Sequence, residues 1–240
     1  MNLLSLSRKD KPLYMQIANI IKDRILHGVY PIGLNIPSEP QLEQEFNVSK
    51  ITVRGAIQEL VQEGFLEKGS GKGTKVIRNT SSSKLSKWKK FTEILVDEGH
   101  QIRKQWLKAE RVYNEVESEA FRLFGERCIR LERIYSLGDI PYVHYTHYLV
   151  NGMDDLDLLD LNAQSLYELL EERSVSLEKL RDEFSVAVPP PDVEEILLLD
   201  KKCPLLKRTR YSYDELGKVT EYSVGFYNTE LQNYVVNYEV

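Results

Sequence analysis

The N-terminal part of the chain repeats apolar positions with the period of a helix. Leu13, Ile17, Ile20, Ile21 and Ile25 recur at three- and four-residue spacing and predict one helix with a single buried face. Pro12 suits its first turn, because proline has no N–H to satisfy and holds φ near the helical value. Gly28 is placed to end it in a left-handed cap. A short second helix follows Pro37-Ser38-Glu39-Pro40. Ser38 caps it, Gln41 closes a capping box, and Leu42 and Phe46 turn inward. Asn47-Val48 makes a turn. Ser49 then caps a third helix whose buried stripe is Val53, Ile57, Leu60 and Val61, stopped at Gly64. Residues 65–68 and 74–77 read as short strands around a glycine-rich tip, Gly69-Ser70-Gly71-Lys72-Gly73. This order of elements predicts a winged helix-turn-helix.

The period changes after Gly99. Strand-like runs cover residues 106–113, 129–136, 141–149, 180–188, 205–213, 219–227 and 234–240, and helical runs cover 116–124, 165–172 and 192–199. Leu137-Gly138-Asp139-Ile140 and Asp214-Glu215-Leu216-Gly217 read as hairpin turns. The balance predicts an α+β domain dominated by antiparallel pairing. Between the two patterns, Asn79-Thr80-Ser81-Ser82-Ser83 has no apolar anchor and reads as a flexible connector. Lysines 84, 87, 89 and 90 surround Trp88, ahead of a helix expected over 91–98. The expected division is 1–78, a linker 79–90, and 91–240.

Charge divides along the same line. The 240 residues carry a formal net charge of -5, which argues against simple polycation binding. Residues 1–90 hold 15 Lys/Arg against 8 Asp/Glu, a net of +7, and residues 91–240 hold 17 against 29, a net of -12. A basic front and an acidic rear fit a DNA module joined to something that does not touch DNA. No apolar run approaches the length of a membrane span, and the first nine residues lack the apolar core of a signal peptide, so the chain is expected to act in the cytoplasm. Cys128 and Cys203 lie far apart without CxxC spacing and read as two buried, reduced thiols. No Walker loop, GxGxxG, HExxH or GxSxG is present, and no cofactor, metal or catalytic residue is expected.

The third helix carries the recognition chemistry. Lys50 and Thr52 stand at its start, Arg54 borders the core stripe, and Ile51, Gly55 and Gln58 lie roughly opposite that stripe. A helix N-terminus attracts phosphate through its free N–H groups. Lysine and arginine bind phosphates or guanine edges, and threonine offers a hydroxyl or a methyl. Taken with Pro12–Ile17, Pro37-Ser38-Glu39, Phe46–Arg54, residues 60–65 and Gly71-Lys72-Gly73-Thr74, residues 12–77 resemble the N-terminal domain of GntR-type bacterial transcription regulators. The resemblance implies binding of double-stranded DNA by Ser38, Glu39, Ser49, Lys50, Thr52, Arg54 and the wing residues Gly71, Lys72 and Gly73. Three positions depart from the family pattern: Pro40 replaces a basic residue, Lys50 stands in place of the commoner arginine, and Gly55 replaces a longer polar side chain. The operator is therefore expected to differ from the common family site.

The rear half resembles the effector-binding (UTRA) domain of the HutC branch of that family, of chorismate-lyase-like fold. The pieces are Leu131-Glu132-Arg133-Ile134-Tyr135, Gly138-Asp139-Ile140-Pro141, Ser165-Leu166-Tyr167, Pro204-Leu205-Leu206-Lys207-Arg208 and Glu221-Tyr222-Ser223-Val224. The resemblance implies a small metabolite, a sugar or sugar phosphate, held by Lys89, Lys90, Arg133, Tyr135, Tyr145, Ser165, Tyr167, Glu221 and Tyr227. Arginine forks two donors onto phosphate oxygens, and Glu221 accepts from sugar hydroxyls. Tyr135 and Tyr145 stand where some sugar-phosphate binders carry a basic and an acidic residue, which favours a more aromatic seat and a larger glycoside. Each residue has a plainer alternative: an ion-paired surface arginine at 133, half-buried packing for Val143, Tyr145 and His147, an edge charge at 221. His144 and His147, three apart on a strand, point to opposite faces and do not make a metal pair. The acidic runs Asp154-Asp155-Leu156-Asp157 and Glu194-Glu195 read as solvated.

Together these features predict a homodimeric, ligand-responsive repressor on a pseudo-palindromic operator. The alternative is an enzyme of the chorismate-lyase-like fold acting on a small phosphorylated metabolite.

Overall fold

Ile17, Ile20, Ile21 and Ile25 are buried along one side of helix α1 (Leu13–Leu26), as their spacing requires. They pack with Leu42 and Phe46 of α2 (Glu39–Phe46) and with Val53, Ile57 and Leu60 of α3 (Lys50–Gln62) in one core. Burying a side chain of this size contributes roughly 1.5–3 kcal/mol, so this face holds the three helices together. The computed structural model describes residues 12–69, 71, 73–79, 91–150, 166, 170, 173, 175, 177–199 and 203–236; of residues 91–93 it describes the backbone alone. Within them the chain divides into two compact units, Met1–Ile102 and Arg103–Val240.

The caps are where the sequence put them. Gln41 Oε1 accepts from Ser38 N and Ser38 Oγ, both at 2.8 Å, closing the box at the start of α2. Asn47 ends α2 in the left-handed conformation, φ 51°. Ser49 Oγ accepts from Thr52 N at 3.3 Å and starts α3. The wing is an antiparallel pair, β1 (Leu66–Gly69) with β2 (Gly73–Val76), in register from Leu66 opposite Val76 to Gly69 opposite Gly73. Residues 33–36 lie along β2 as a third member: Gly33 N donates to Val76 O at 2.8 Å and Ile36 N to Thr74 O at 2.9 Å. Helix α4 (Phe91–Asp97) belongs to the first unit, so the division falls after it rather than in the 79–90 segment. The 79–90 segment, beyond Asn79, lies outside the described residues.

The second unit is built on one six-stranded sheet in the order β3-β4-β5-β8-β7-β6. Its strands are β3 (Ile102–Tyr113), β4 (Arg127–Leu137), β5 (Ile140–Leu149), β6 (Lys179–Ala187), β7 (Leu205–Tyr213) and β8 (Val219–Tyr227). The pairs β4–β5, β5–β8, β8–β7 and β7–β6 are antiparallel. Two helices accompany the sheet, α5 (Glu119–Phe124) and α6 (Pro191–Ile196). Both are shorter than the sequence pattern predicts. Ser118 caps α5, its Oγ accepting from Phe121 N at 3.1 Å, so the helix starts there and not at Val116. Leu198, at φ 54°, has left the helical region soon after α6. The strand expected over 234–240 is absent from 234–236, and the remainder lies outside the described residues. Both hairpin turns form, with Gly138 at φ 58° and Gly217 at φ 74°. Both cysteines are free, but Cys203 is only half-buried where a buried thiol was expected.

Register decides what shares a face. Leu131, Arg133 and Tyr135 of β4 lie opposite His147, Tyr145 and Val143 of β5, and these lie opposite Ser223, Gly225 and Tyr227 of β8. Gly225 lies opposite Arg208 of β7, which lies opposite Phe184 of β6. Because side chains alternate between faces, all of these stand on one side of the sheet. At one end of that side, Trp106, Ile129, Leu131 and Leu149 cluster with Leu166 and Leu170. The other side packs Phe226 and Leu205 against Val193 and Leu197.

Candidate functional site

The first unit presents a polar, cationic surface at the start of α3. Ser49, Lys50, Ile51, Arg54 and Gln58 are exposed there, and Ile51 keeps 83% of its surface open. Ser49 Oγ and Thr52 Oγ1 are hydrogen-bonded at 2.9 Å, which locks both hydroxyls to the helix start. Arg54 Nε donates to Glu39 Oε2 at 2.9 Å. Glu39, on the first turn of α2, thus holds the arginine through its Nε, while the side chain stays largely exposed. Ser38 is exposed beside it. Gly55 does not face away from the core as its spacing suggested. A Cβ there would lie 3.2 Å from Tyr14 Cβ, so glycine lets α3 approach α1 closely. In the wing, Gly71 adopts φ 69° and Gly73 φ 87°. A Cβ on Gly73 would stand 2.9 Å from Asn35 Nδ2, so both conformation and space demand glycine. Lys72 lies outside the described residues.

In the second unit, Arg133, Tyr135, Tyr145, Glu221 and Tyr227 come together on the face defined above. Tyr145 is its centre. Its ring lies across Gly225, where a Cβ would be only 2.5 Å from Tyr145 Cε1. From there its hydroxyl reaches the neighbouring strand: Arg208 Nη2 donates to Tyr145 Oη at 2.7 Å, and the hydroxyls of Tyr145 and Tyr227 are hydrogen-bonded. Arg133 stands over three rings, those of Trp106, Tyr135 and Tyr145, at 5.0, 5.1 and 5.0 Å from their centroids. Such cation–π contacts suit a desolvated guanidinium. The arginine is not ion-paired: among the described residues Arg133 has no carboxylate partner, and its buried Nε has no hydrogen bond. Burial pushes the hydroxyl of Tyr145 above its ordinary value, so it stays protonated and polar at neutral pH.

Glu221 is fully buried on the inner strand β8, not an edge charge. His147 Nδ1 lies 2.8 Å from its Oε1, and Ser212 Oγ donates to its Oε2. Burial alone would raise the Glu221 carboxyl, but the bonds from His147, Ser212 and Ser223 outweigh it and hold the group down at about 2. His147 is driven the other way, to about 4, by burial first and by the nearby Arg133. At neutral pH the pair is therefore a carboxylate and a neutral imidazole. The carboxylate fixes the proton on Nδ1, which leaves Nε2 as a buried acceptor without a partner. His147 also stacks on Tyr145, ring centroids 5.5 Å apart. Lys89, Lys90, Ser165 and Tyr167 lie outside the described residues, as does the Asp154–Asp157 run. Among the described residues no group of three His, Cys, Asp or Glu is placed to hold a metal, and no helix is long and apolar enough to cross a membrane.

Sequence reasoning missed two members of this face. The spacing puts His147 on the strand face of Tyr145 only as half-buried packing and gives it no part in binding, yet its free acceptor stands beside Tyr145. Arg208 was read only as part of a strand motif. Lys207 and Arg208 are adjacent cations on alternating positions, and no local signal tells which one faces the tyrosines.

Two family models match the chain. Residues 13–76 match the family model "Bacterial regulatory proteins, gntR family", and residues 97–232 match the UTRA domain. The HTH-type transcriptional regulator GgaR of Escherichia coli K12 is 26% identical over 240 aligned residues, covering 96% of this chain and 92% of that protein. The mannosyl-D-glycerate transport/metabolism system repressor MngR of the same organism is 25% identical over 228, covering 92% and 93%. The crystal structure of PhnF from Mycobacterium smegmatis superposes with a TM-score of 0.51 at 21% identity, covering 93% of this chain and 99% of that one, and supports the fold. These matches are to regulators, and the enzyme alternative finds no support among them. The chain belongs to the gntR family of bacterial regulatory proteins, in the branch that joins the winged helix-turn-helix to a UTRA domain.

Proposed function

We propose that this protein is a repressor that binds a pseudo-palindromic operator as a homodimer in the cytoplasm and releases it when a sugar-derived effector binds the second unit. Lys50, Arg54 and the wing supply phosphate and guanine contacts, and exposed Ile51 offers an apolar contact to a thymine methyl. Half-sites about 10 base pairs apart would place two α3 helices in successive major grooves. The MngR relative is named for a system that handles a glycoside, and that name supports a carbohydrate-type effector here.

The observation that carries the effector reading is the face around Tyr145. An arginine with no carboxylate partner among the described residues, an unused imidazole acceptor and several tyrosines stand together on an otherwise packed sheet. Arginine takes an anionic group, the imidazole takes a sugar hydroxyl, and the aromatic rings take the apolar sugar face. Effector binding then favours a dimer arrangement whose helices no longer match the operator spacing, which requires different effector affinity in the two arrangements. The test is operator binding by fluorescence anisotropy with an Arg133→Ala variant, against a panel of sugars and sugar acids. Operator affinity stays within about twofold of wild type while release is lost. Unaltered release by the variant would place the effector elsewhere.

A further inference from the structure

Arg208 is the most buried cation on the Tyr145 face, at 8% exposure. Its Nη2 donates to Tyr145 Oη at 2.7 Å and its Nη1 to Tyr234 Oη at 3.2 Å. Its Nε is buried and has no hydrogen-bond partner. Guanidinium does not lose its charge in proteins, so its cost of burial has to be met by an anion. Among the described residues two carboxylates stand on this face, and both are already matched. Asp182 binds Arg210 through both oxygens, Nε to Oδ1 and Nη2 to Oδ2 at 2.6 Å each, and Glu221 is held by His147 and Ser212. The contrast between two arginines on one strand is informative. Arg210 has Asp182 as its cross-strand partner in β6, whereas Arg208 has Phe184. Both tyrosine hydroxyls that receive Arg208 are neutral acceptors and cannot balance it. Among the described residues Arg208 thus keeps an unmatched positive charge beside Tyr145.

We propose that Arg208 is a specificity-determining residue that binds an oxyanion of the effector, a carboxylate or a phosphate monoester, through its Nε edge at the β7 side of the face. This rests on the effector reading above and goes beyond it. It assigns a second cationic contact, separated from Arg133 by the Tyr145 ring, and it makes the effector an acidic sugar derivative. Arg133 and Arg208 lie 5.0 and 5.2 Å from the centroid of that ring. An effector spanning both sides of Tyr145 therefore meets a guanidinium at each end. Neutral sugars would leave Arg208 unbalanced and bind weakly, which is how the site would reject them.

The test is calorimetric titration of the full chain with glucuronate, glucose 6-phosphate, inorganic phosphate and neutral glucose at matched ionic strength. It uses wild type, Arg208→Gln and Phe184→Glu. The acidic probes bind wild type more tightly than glucose, and the stronger of glucuronate and glucose 6-phosphate identifies the oxyanion. Arg208→Gln weakens the acidic probes at least 30-fold and leaves glucose unchanged. Phe184→Glu, which puts a carboxylate opposite Arg208 without removing it, also weakens them. Phe184→Glu melts without ligand at or above the wild-type temperature, because the new carboxylate answers the Arg208 charge across the strands. A purely structural Arg208 would instead leave the preference for acids intact in both variants. Equal binding of acids and glucose, equal binding by wild type and Arg208→Gln, or no binding of any acid overturns the subsite. Failure of the wider reading shows separately, in an operator complex that acids bound through Arg208 do not dissociate.

Discussion

Gly225→Ala is the sharpest probe of how this face is built. The backbone at Gly225 does not take a positive φ, so the substitution costs nothing through conformation. The added methyl would stand 2.5, 2.9 and 3.2 Å from Cε1, Cδ1 and Cζ of Tyr145, where ordinary contact begins at 3.4 Å. The ring has little room to yield. It is tied at its hydroxyl to Arg208 and Tyr227, stacked on His147 and covered by Arg133. Overpacking of this kind costs about 1–3 kcal/mol. Expelling the ring forfeits a charge-assisted hydrogen bond, a further 1.5–3 kcal/mol or so. A loss of about 2 kcal/mol lowers the melting temperature by roughly 4–8 °C in a chain of this size. The assay is urea denaturation followed by circular dichroism, run as a double-mutant cycle with Tyr145→Ala. With the ring gone, alanine at 225 is neutral or slightly favourable, since glycine in a strand costs roughly 0.5–1 kcal/mol relative to alanine. Equal cost in both backgrounds would refute the claim that Tyr145 occupies the space over Gly225.

Two other outcomes follow from the geometry. Arg54→Ala weakens operator binding and reduces the slope of log affinity against log salt by about one unit, because one phosphate contact is lost; an unchanged slope in an anisotropy titration would show that Arg54 does not meet the backbone. His144 and His147 are both held near 4, chiefly by burial. The unfolded chain protonates them below about 6.5 while the native chain does not, so each removes about 1.4 kcal/mol of stability per pH unit as pH falls from roughly 6 to 4. Melting temperatures that stay flat across that window would contradict the burial of these rings as neutral groups.

Much of the DNA module was legible in the sequence because its determinants are local. A capping serine, a left-handed asparagine and a glycine wing act within a few residues of themselves, and the apolar stripe reports its own helix. Gly55 escaped that reading, since its reason is Tyr14 on another helix. In the rear unit the hairpin turns and six of the seven expected strands were equally local and were recovered to within a few residues; the strand expected over 234–240 was not found at 234–236. The face around Tyr145 was recovered only in part. Arg133, Tyr145 and Tyr227 could be named through a family resemblance, but the same residues fitted ordinary packing until the strands were paired.

The sequence by itself determined most of the helices and strands, the caps of the DNA module, and that a basic module precedes an acidic one. Period, caps and charge are properties of neighbouring residues. Only the tertiary structure decided that Gly225 makes room for Tyr145, that Glu221 is held by His147, and that Asp182 answers Arg210 rather than Arg208. Those facts depend on register between strands far apart in the chain, and a shift of one residue would send every one of these side chains to the opposite face.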